Sequence, residues 1–370
     1  MRKGGSFLRS DRRLTQSQTQ PCAALEIEPR KITAIVDVKA GLFDPEVLTL
    51  LAPSVYNPTP ERLKCRAEAY TADKTISVYA CNMEGVYTGI VVWRTESGMA
   101  EILHIAVKSE WCRHGIGGKL IEYILNSSPV DTIMAETDQD ALGFYKKCGF
   151  AISPSREVGG TRRYSCKLSA VSKHYDLLID ENNDPVHDPE PLRTYMDQWD
   201  GQPFMDALHL DKEKSVLEIG VGTGRLAVRA APNCREFCGI DLSPKTIARA
   251  KENLKGYGNV TLICGDFMGY AFEQKFDVIY SSLTFMHIKD KQAAIRKAKT
   301  LLHDGGRFVL SMDKSQRDTI DYGTRKIRIY PDNQEDTLRY IRDSGMDLAT
   351  LFETALATVF CCTIRKERSR

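Results

Sequence analysis

The sequence predicts an α/β chain of two units, each built around one glycine-rich turn between a strand and a helix. Three observations carry this. Arg113-His114-Gly115-Ile116-Gly117-Gly118 follows an apolar run and opens a helical pattern. Glu218-Ile219-Gly220-Val221-Gly222-Thr223-Gly224 sits in the same kind of place. From Ser215 onward, strand-like and helix-like segments alternate, which argues for a parallel sheet with helices on both faces. Glycine lets backbone amides approach a phosphate or ribose with no side chain in the way, and the helix N-terminus behind the loop adds unpaired N–H groups and positive dipole charge. Two such loops in separately patterned regions suggest two active sites.

The elements follow in order. Thr33 to Val38 alternates like a strand, and Pro60 to Tyr70 reads as a helix. Ser77–Cys81 and Val86–Trp93 form a hairpin around Asn82-Met83-Glu84-Gly85. Glu101–Val107 is a strand, and Leu120–Leu125 continues the helix behind the first loop. Thr132–Ala135, Asp140–Lys147 and Phe150–Ile152 read strand, helix, strand, and Tyr164–Leu168 is the closing strand. Ala170 to Leu210 is helical but interrupted at Asn182-Asn183-Asp184-Pro185 and Asp188-Pro189-Glu190-Pro191, as expected of a linker that becomes a cap. The expected domains are a disordered tail (1–30), a first folded unit (31–170), the helical linker or cap (171–210) and a second folded unit (211–370). The tail is basic at Arg9 to Arg13 and rich in Ser, Thr and Gln from Thr15 to Gln20. It lacks the clear apolar face of a transit peptide.

Composition sets limits. The chain has 370 residues, 42% hydrophobic and 27% charged, with a net charge of +2. That is ordinary for a soluble globular protein and gives no reason to expect a nucleic-acid or membrane partner. No run is long and apolar enough to span a bilayer. The 11 cysteines are single apart from Cys361-Cys362, with no CxxC pair, so no metal site is expected and a reducing cytoplasm is.

The first loop and the segment Ala141-Leu142-Gly143-Phe144-Tyr145-Lys146-Lys147-Cys148-Gly149-Phe150 together resemble the GNAT N-acetyltransferases, over roughly residues 31–168. The resemblance implies a mixed, mostly antiparallel sheet and acetyl-CoA as cofactor. A splayed strand end at Ile105-Ala106-Val107 would bond the pantetheine amides, with Ile105 and Val107 as contacts. Arg113, His114, Gly115, Ile116, Gly117 and Gly118 would hold the pyrophosphate. Tyr145 would protonate the departing thiolate; the alternative is an aromatic on the helix surface. Cys112 stands where the family carries a basic or amide residue, which removes one side-chain contact and leaves the amide cradle intact. Glu101 is the candidate for deprotonating the amine through water, with His104 as competitor; the alternative for each is a purely structural part. Strict alternation puts Ile102 and His104 on one face and Glu101 and Leu103 on the other.

In the second loop the glycines are spaced G-x-G-x-G. A dinucleotide fingerprint would need glycine at Arg225. Phe237-Cys238-Gly239-Ile240-Asp241 then ends a strand with a carboxylate 21 residues past Gly220, placed to accept both ribose hydroxyls. The alternative for Asp241 is a helix cap, a part Ser243 plays better. Leu262 to Phe267, Phe276 to Ser282 and Leu301 to Leu310 supply the next strand ends. This order resembles the class I S-adenosylmethionine-dependent methyltransferases, over about 173–366. The resemblance implies a seven-stranded Rossmann-like sheet and S-adenosyl-L-methionine held by Glu218, Gly220, Gly222, Thr223, Gly224, Asp241, Leu242, Asp266, Phe267 and Ser281. His287, after the fourth strand, is a candidate base, acceptor orienter or packed histidine. Tyr175, Tyr195, Trp199 and Asp200 could close over the site from the cap; the alternative for the aromatics is simple cap packing.

The expectation is a bifunctional transferase that methylates a small molecule with one half and acetylates an amine with the other. Two alternatives stand beside it: a methyltransferase whose GNAT half only senses CoA or acts as a scaffold, and an enzyme that modifies proteins.

Overall fold

The computed structural model describes residues 34–127, 130–323 and 325–364; the expected tail at 1–30 lies outside them. The first sheet has the order β1-β2-β3-β4-β5-β7-β6. Its strands are β1 (Ala34–Asp37), β2 (Ile76–Met83), β3 (Val86–Glu96), β4 (Met99–Val107), β5 (Thr132–Thr137), β6 (Ala151–Val158) and β7 (Thr161–Ser169). Every pairing is antiparallel except β4 with β5, so this sheet is mixed and mostly antiparallel. Helices α1 (Pro45–Thr49) and α2 (Pro60–Ala72) cover one face, while α3 (Ile116–Ser127) and α4 (Leu142–Lys147) cover the other. The reason is local: α3 places Ile116, Leu120, Ile121, Ile124 and Leu125 on one stripe, all buried.

The parallel β4–β5 ladder runs only from Met99↔Thr132 to Ile102↔Ala135, while β4 continues to Val107. The strands part there, leaving Leu103 to Val107 without a strand partner on that edge among the described residues. A bulge lies at the same place: Val92 pairs with His104 and Trp93 with Ile102, so Leu103 is an extra residue.

The second sheet has the order β10-β9-β8-β11-β12-β16-β15. It is built from β8 (Ser215–Ile219), β9 (Glu236–Asp241), β10 (Val260–Cys264), β11 (Phe276–Ser282), β12 (Leu302–Asp313), β15 (Asp347–Glu353) and β16 (Ala357–Thr363). Helices α7 (Ala227–Ala230), α8 (Pro244–Asn253), α9 (Lys291–Thr300) and α10 (Gln334–Asp343) flank it. The sheet is parallel except at one strand. β16 enters between β12 and β15 antiparallel to both, because the last two strands are joined as a hairpin rather than through a helix. The order reverses between β8 and β11, which opens a crevice at the carboxyl ends of the strands.

Helices α5 (Ala170–Asp180) and α6 (Glu190–Ala207) link the sheets. α6 is broken at Gly201, two residues before Pro203, whose ring excludes the preceding helical turn. A small hairpin, β13 (Thr319–Asp321) with β14 (Lys326–Arg328), reaches back to the first unit. Arg328 lies 3.8 Å from Asp131 at the foot of β5.

Candidate functional site

In the second unit, a cavity of about 460 Å³ opens where β8, β9, β10 and β11 end, within the usual size of a small-molecule site. Glu218, Gly220, Gly222, Thr223, Asp241, Leu242, Asp266, Phe267 and His287 line it. Gly220 has φ +79°, and a Cβ there would collide with Thr284, so this position accepts only glycine. Asp241 accepts the N–H of Gly222 at 3.0 Å and of Ser243 at 2.9 Å, which aims its carboxylate across the loop. Burial raises its pKa. Ser243 is the cap of α8, its side chain taking the Thr246 N–H at 3.1 Å, so Asp241 is not spent on capping.

Glu218 is 3% exposed. The Tyr280 hydroxyl donates to it at 2.8 Å, and burial pushes its pKa up to about 8. Asp266 is exposed and takes the Met268 N–H, while Phe267 is buried with the Lys297 ammonium 5.3 Å from its ring centre. Ser281 is a correction. It is fully buried and donates to Ile219 O at 2.9 Å within the sheet, and strand alternation presents Ser282 to the cavity instead.

His287 Nε2 lies 2.9 Å from the Tyr175 hydroxyl, and its Nδ1 is buried without a partner among the described residues. Burial, then Lys291, lowers its pKa to about 4, so the ring is neutral. Of the other cap residues, the two aromatics follow the packing alternative and Asp200 forms an ion pair. Tyr195 is half exposed and stacks edge-on with Trp199, 5.2 Å between ring centres. Asp200 is wholly buried in a two-pronged ion pair with Arg225 and accepts the Ser282 hydroxyl at 2.6 Å. Local sequence carries no signal for Asp131, Arg328 and Tyr330, which also line the cavity and which only folding brings there.

In the first unit, the loop turns at Arg113, φ +67°, and Gly115, φ +78°. Arg113 and His114 are exposed, and His114 Nδ1 lies 3.0 Å from Cys112 O. Lys119 N–H to Gly115 O is the first bond of α3, which leaves the N–H groups of Ile116, Gly117 and Gly118 at an open helix start. Phe144 covers Gly117: a Cβ there would lie 2.7 Å from the Phe144 ring. The two separated segments therefore meet. Ile105 and Val107 pack beside them, partly buried.

Tyr145 is 5% exposed and sits edge-on between Phe144 and Phe150, each with ring centres 5.1 Å away. It is thus not a surface aromatic, and burial raises its pKa well above the usual phenol value.

The expected opposition of Glu101 and His104 is corrected. The Leu103 bulge shifts the phase of β4, so both side chains face α2. Glu101 is 3.5 Å from Arg94, itself 3.9 Å from Asp73 after α2. His104 is held by Tyr70 OH at 2.6 Å and Ser54 Oγ at 2.9 Å. Ser54 spends its own proton on Leu51 O. Nδ1 of His104 is therefore the donor and Nε2 accepts from Tyr70. Burial lowers its pKa to about 4.

A family model for an acetyltransferase (GNAT) domain matches residues 72–152, and one for a methyltransferase domain matches 210–340. The chain therefore carries a GNAT acetyltransferase domain match followed by a methyltransferase domain match. It is similar to an uncharacterized methyltransferase of Anoxybacillus flavithermus, 38% identical over 123 residues, 32% of this chain and 56% of that protein. It is also similar to a malonyl-[acyl-carrier protein] O-methyltransferase of Ilyobacter polytropus, 33% identical over 103 residues, 27% of this chain and 38% of that protein. The chain spans about half the length of the curated relatives it matches. Among solved structures, it aligns with an S-adenosylmethionine-dependent methyltransferase from Mesorhizobium loti. The identity is 17% and the TM-score 0.39, over 44% of this chain and 96% of that one.

Proposed function

We propose that the chain is a bifunctional transferase, using S-adenosyl-L-methionine in the second half and acetyl-CoA in the first, each on a small-molecule acceptor. The observation that carries the methyl half is the cavity at the switch point of the second sheet, with the Asp241 carboxylate fixed across a loop that tolerates no side chain at Gly220. Glu218, Gly222, Thr223, Gly224, Asp241, Leu242, Asp266 and Phe267 would hold the cofactor, which supplies a methyl group already activated on a sulfonium. The protein's part is then alignment. His287, neutral and oriented by Tyr175, stands in the cavity wall as a proton acceptor for the molecule being methylated.

In the first half, the open start of α3 and the loop from Arg113 to Gly118 would take the pyrophosphate, and the freed edge of β4 the pantetheine. Tyr145, kept protonated by burial, would give its proton to the leaving thiolate. Glu101 is the candidate for activating the amine, through water. His104, with both nitrogens bonded, supports the strand instead. Cys112 in place of the family's basic or amide residue favours a second reading, in which this half binds CoA without turning over.

A reducing, cytoplasmic setting is the reading the ten described cysteines, all free, support. Calorimetric titration of the full chain with each cofactor tests the proposal: two separate binding events are expected, neither blocking the other. Binding of S-adenosylmethionine alone would remove the acetyl half. Binding of acetyl-CoA without thiol release in the presence of a mixed amine pool would favour the second reading.

A further inference from the structure

The cavity of the second half holds a buried carboxyl group, Glu218, that no cation of its own contacts among the described residues. Glu218, on β8, pairs in register with Tyr280 on β11, whose hydroxyl is its hydrogen-bond donor. Among the described residues no Lys, Arg or His reaches it within ion-pair distance. Arg225, the nearby cation, is already committed to Asp200 of α6 through both of its terminal nitrogens. The remaining charged group facing Glu218 is Asp241 of β9, a second carboxylate, held by backbone N–H groups. Glu218 thus has one neutral donor, the Arg225–Asp200 ion pair nearby and the Asp241 carboxyl facing it, and it lines the space a ligand would fill. Burial without a contacting cation favours its neutral form.

We propose that Glu218 reads the charge of the methyl cofactor: it is a carboxylic acid in the empty cavity, releases its proton to solvent when a sulfonium enters, and so favours the cationic donor over the neutral thioether product. The inference rests on the methyl-donor reading above. The balance is simple. One carboxylic O–H bond breaks on binding and one proton leaves to solvent; no other bond changes. Once the methyl group has gone, the charge that held the carboxylate ionised has gone with it, and the carboxylate takes a proton back, which weakens the hold on product. Linkage makes the effect reciprocal: the cation lowers the acid's pKa by as much as ionisation of the acid strengthens binding of the cation.

The test is calorimetry on the full chain with S-adenosylmethionine and, separately, S-adenosylhomocysteine, in phosphate and in Tris. The two probes share their amine and carboxylate, so their difference isolates the sulfonium. At pH 7, release of about one proton is expected with the first probe and much less with the second. Affinity for the first should rise relative to the second between about pH 6.5 and 8, by up to about tenfold per pH unit. Glu218→Gln should flatten that slope and narrow the affinity ratio about fivefold or more. Equal proton counts for the two probes, a flat pH profile, or an unchanged ratio in the variant would overturn the proposal. Tyr280→Phe is the second variant should Glu218→Gln fail to fold. Loss of the donor should move the pH midpoint upward, and an unmoved midpoint counts against the idea. Failure of the wild-type chain to bind either probe at any pH would instead overturn the methyl-donor reading itself.

Discussion

Tyr145 and Asp241 are each defined by what surrounds a single polar group. Tyr145 lies in a cage of Phe144 and Phe150, so its proton is strongly held until a thiolate is formed beside it. Tyr145→Phe is expected to keep CoA affinity and to cut thiol release from acetyl-CoA by about 10²–10⁴-fold, the usual range for a lost general acid. Unchanged release would remove Tyr145 from the chemistry. Asp241 differs, because its carboxylate is held by backbone N–H groups and has lone pairs left for a ligand. Asp241→Ala should weaken S-adenosylmethionine binding by about 1.5–3 kcal/mol, the range for a hydrogen bond to a charged group, and leave CoA affinity as it was. Loss of both affinities would show that the two halves do not act separately. Arg225 offers a stability test. Arg225→Met leaves Asp200 fully buried without its cation, and denaturant unfolding should report a loss of about 3–5 kcal/mol.

At the scale of elements, two adjacent glycines of α3 separate space from propensity. Both are helical, and alanine in either place gains up to about 1 kcal/mol of helix propensity. Gly118 faces open space, so Gly118→Ala should stabilise the protein by about that amount. At Gly117 the added methyl meets the Phe144 ring at 2.7 Å, and overpacking costs about 1–3 kcal/mol. Gly117→Ala should therefore be neutral to destabilising and should disturb the helix start that faces the CoA pyrophosphate. Thermal unfolding of the two variants side by side checks the sign, and equal shifts would mean that Phe144 moves away at no cost. The β4 bulge is the other element with consequences. One extra residue, Leu103, decides which face Glu101 and His104 share, and apolar patterning does not reveal it.

For the molecule as a whole, three buried histidines set the acid limit. His104 and His287 are lowered to about 4 and His174 to about 3, in each case first by burial. An unfolded histidine titrates near 6.5. Between about pH 6.5 and 4 the unfolded chain therefore binds more protons than the folded one, and stability falls as pH falls through this window. The midpoint for denaturant unfolding should drop steadily across it, with uptake of about three protons on unfolding. A flat profile would mean that these rings are charged in the folded protein. Glu218 has the opposite sign. Its folded pKa is raised, so its contribution is fully present below about 4.5 and is lost as pH rises toward about 8. Glu218→Gln should thus gain stability over wild type as pH rises from 5 to 8, measured without cofactor.

The sequence by itself determined the two units, the order of their elements, both glycine loops, and the carboxylate at the end of β9. These are local properties: apolar period, glycine spacing and turn residues act within a few positions of one another. That the first loop and the segment 141–150 belong to one pattern was also legible, but the packing of Phe144 over Gly117 was not. Tertiary structure alone decided the rest. It turned β16 antiparallel, bulged β4 at Leu103, committed Asp200 to Arg225, drew Ser281 into the sheet, and set Tyr175 on His287 across 112 positions of sequence. It also placed Asp131 of the first unit in the wall of the second unit's cavity. Such pairings are set by which surfaces and buried polar groups find partners when the whole chain packs, and no local window of residues contains that information.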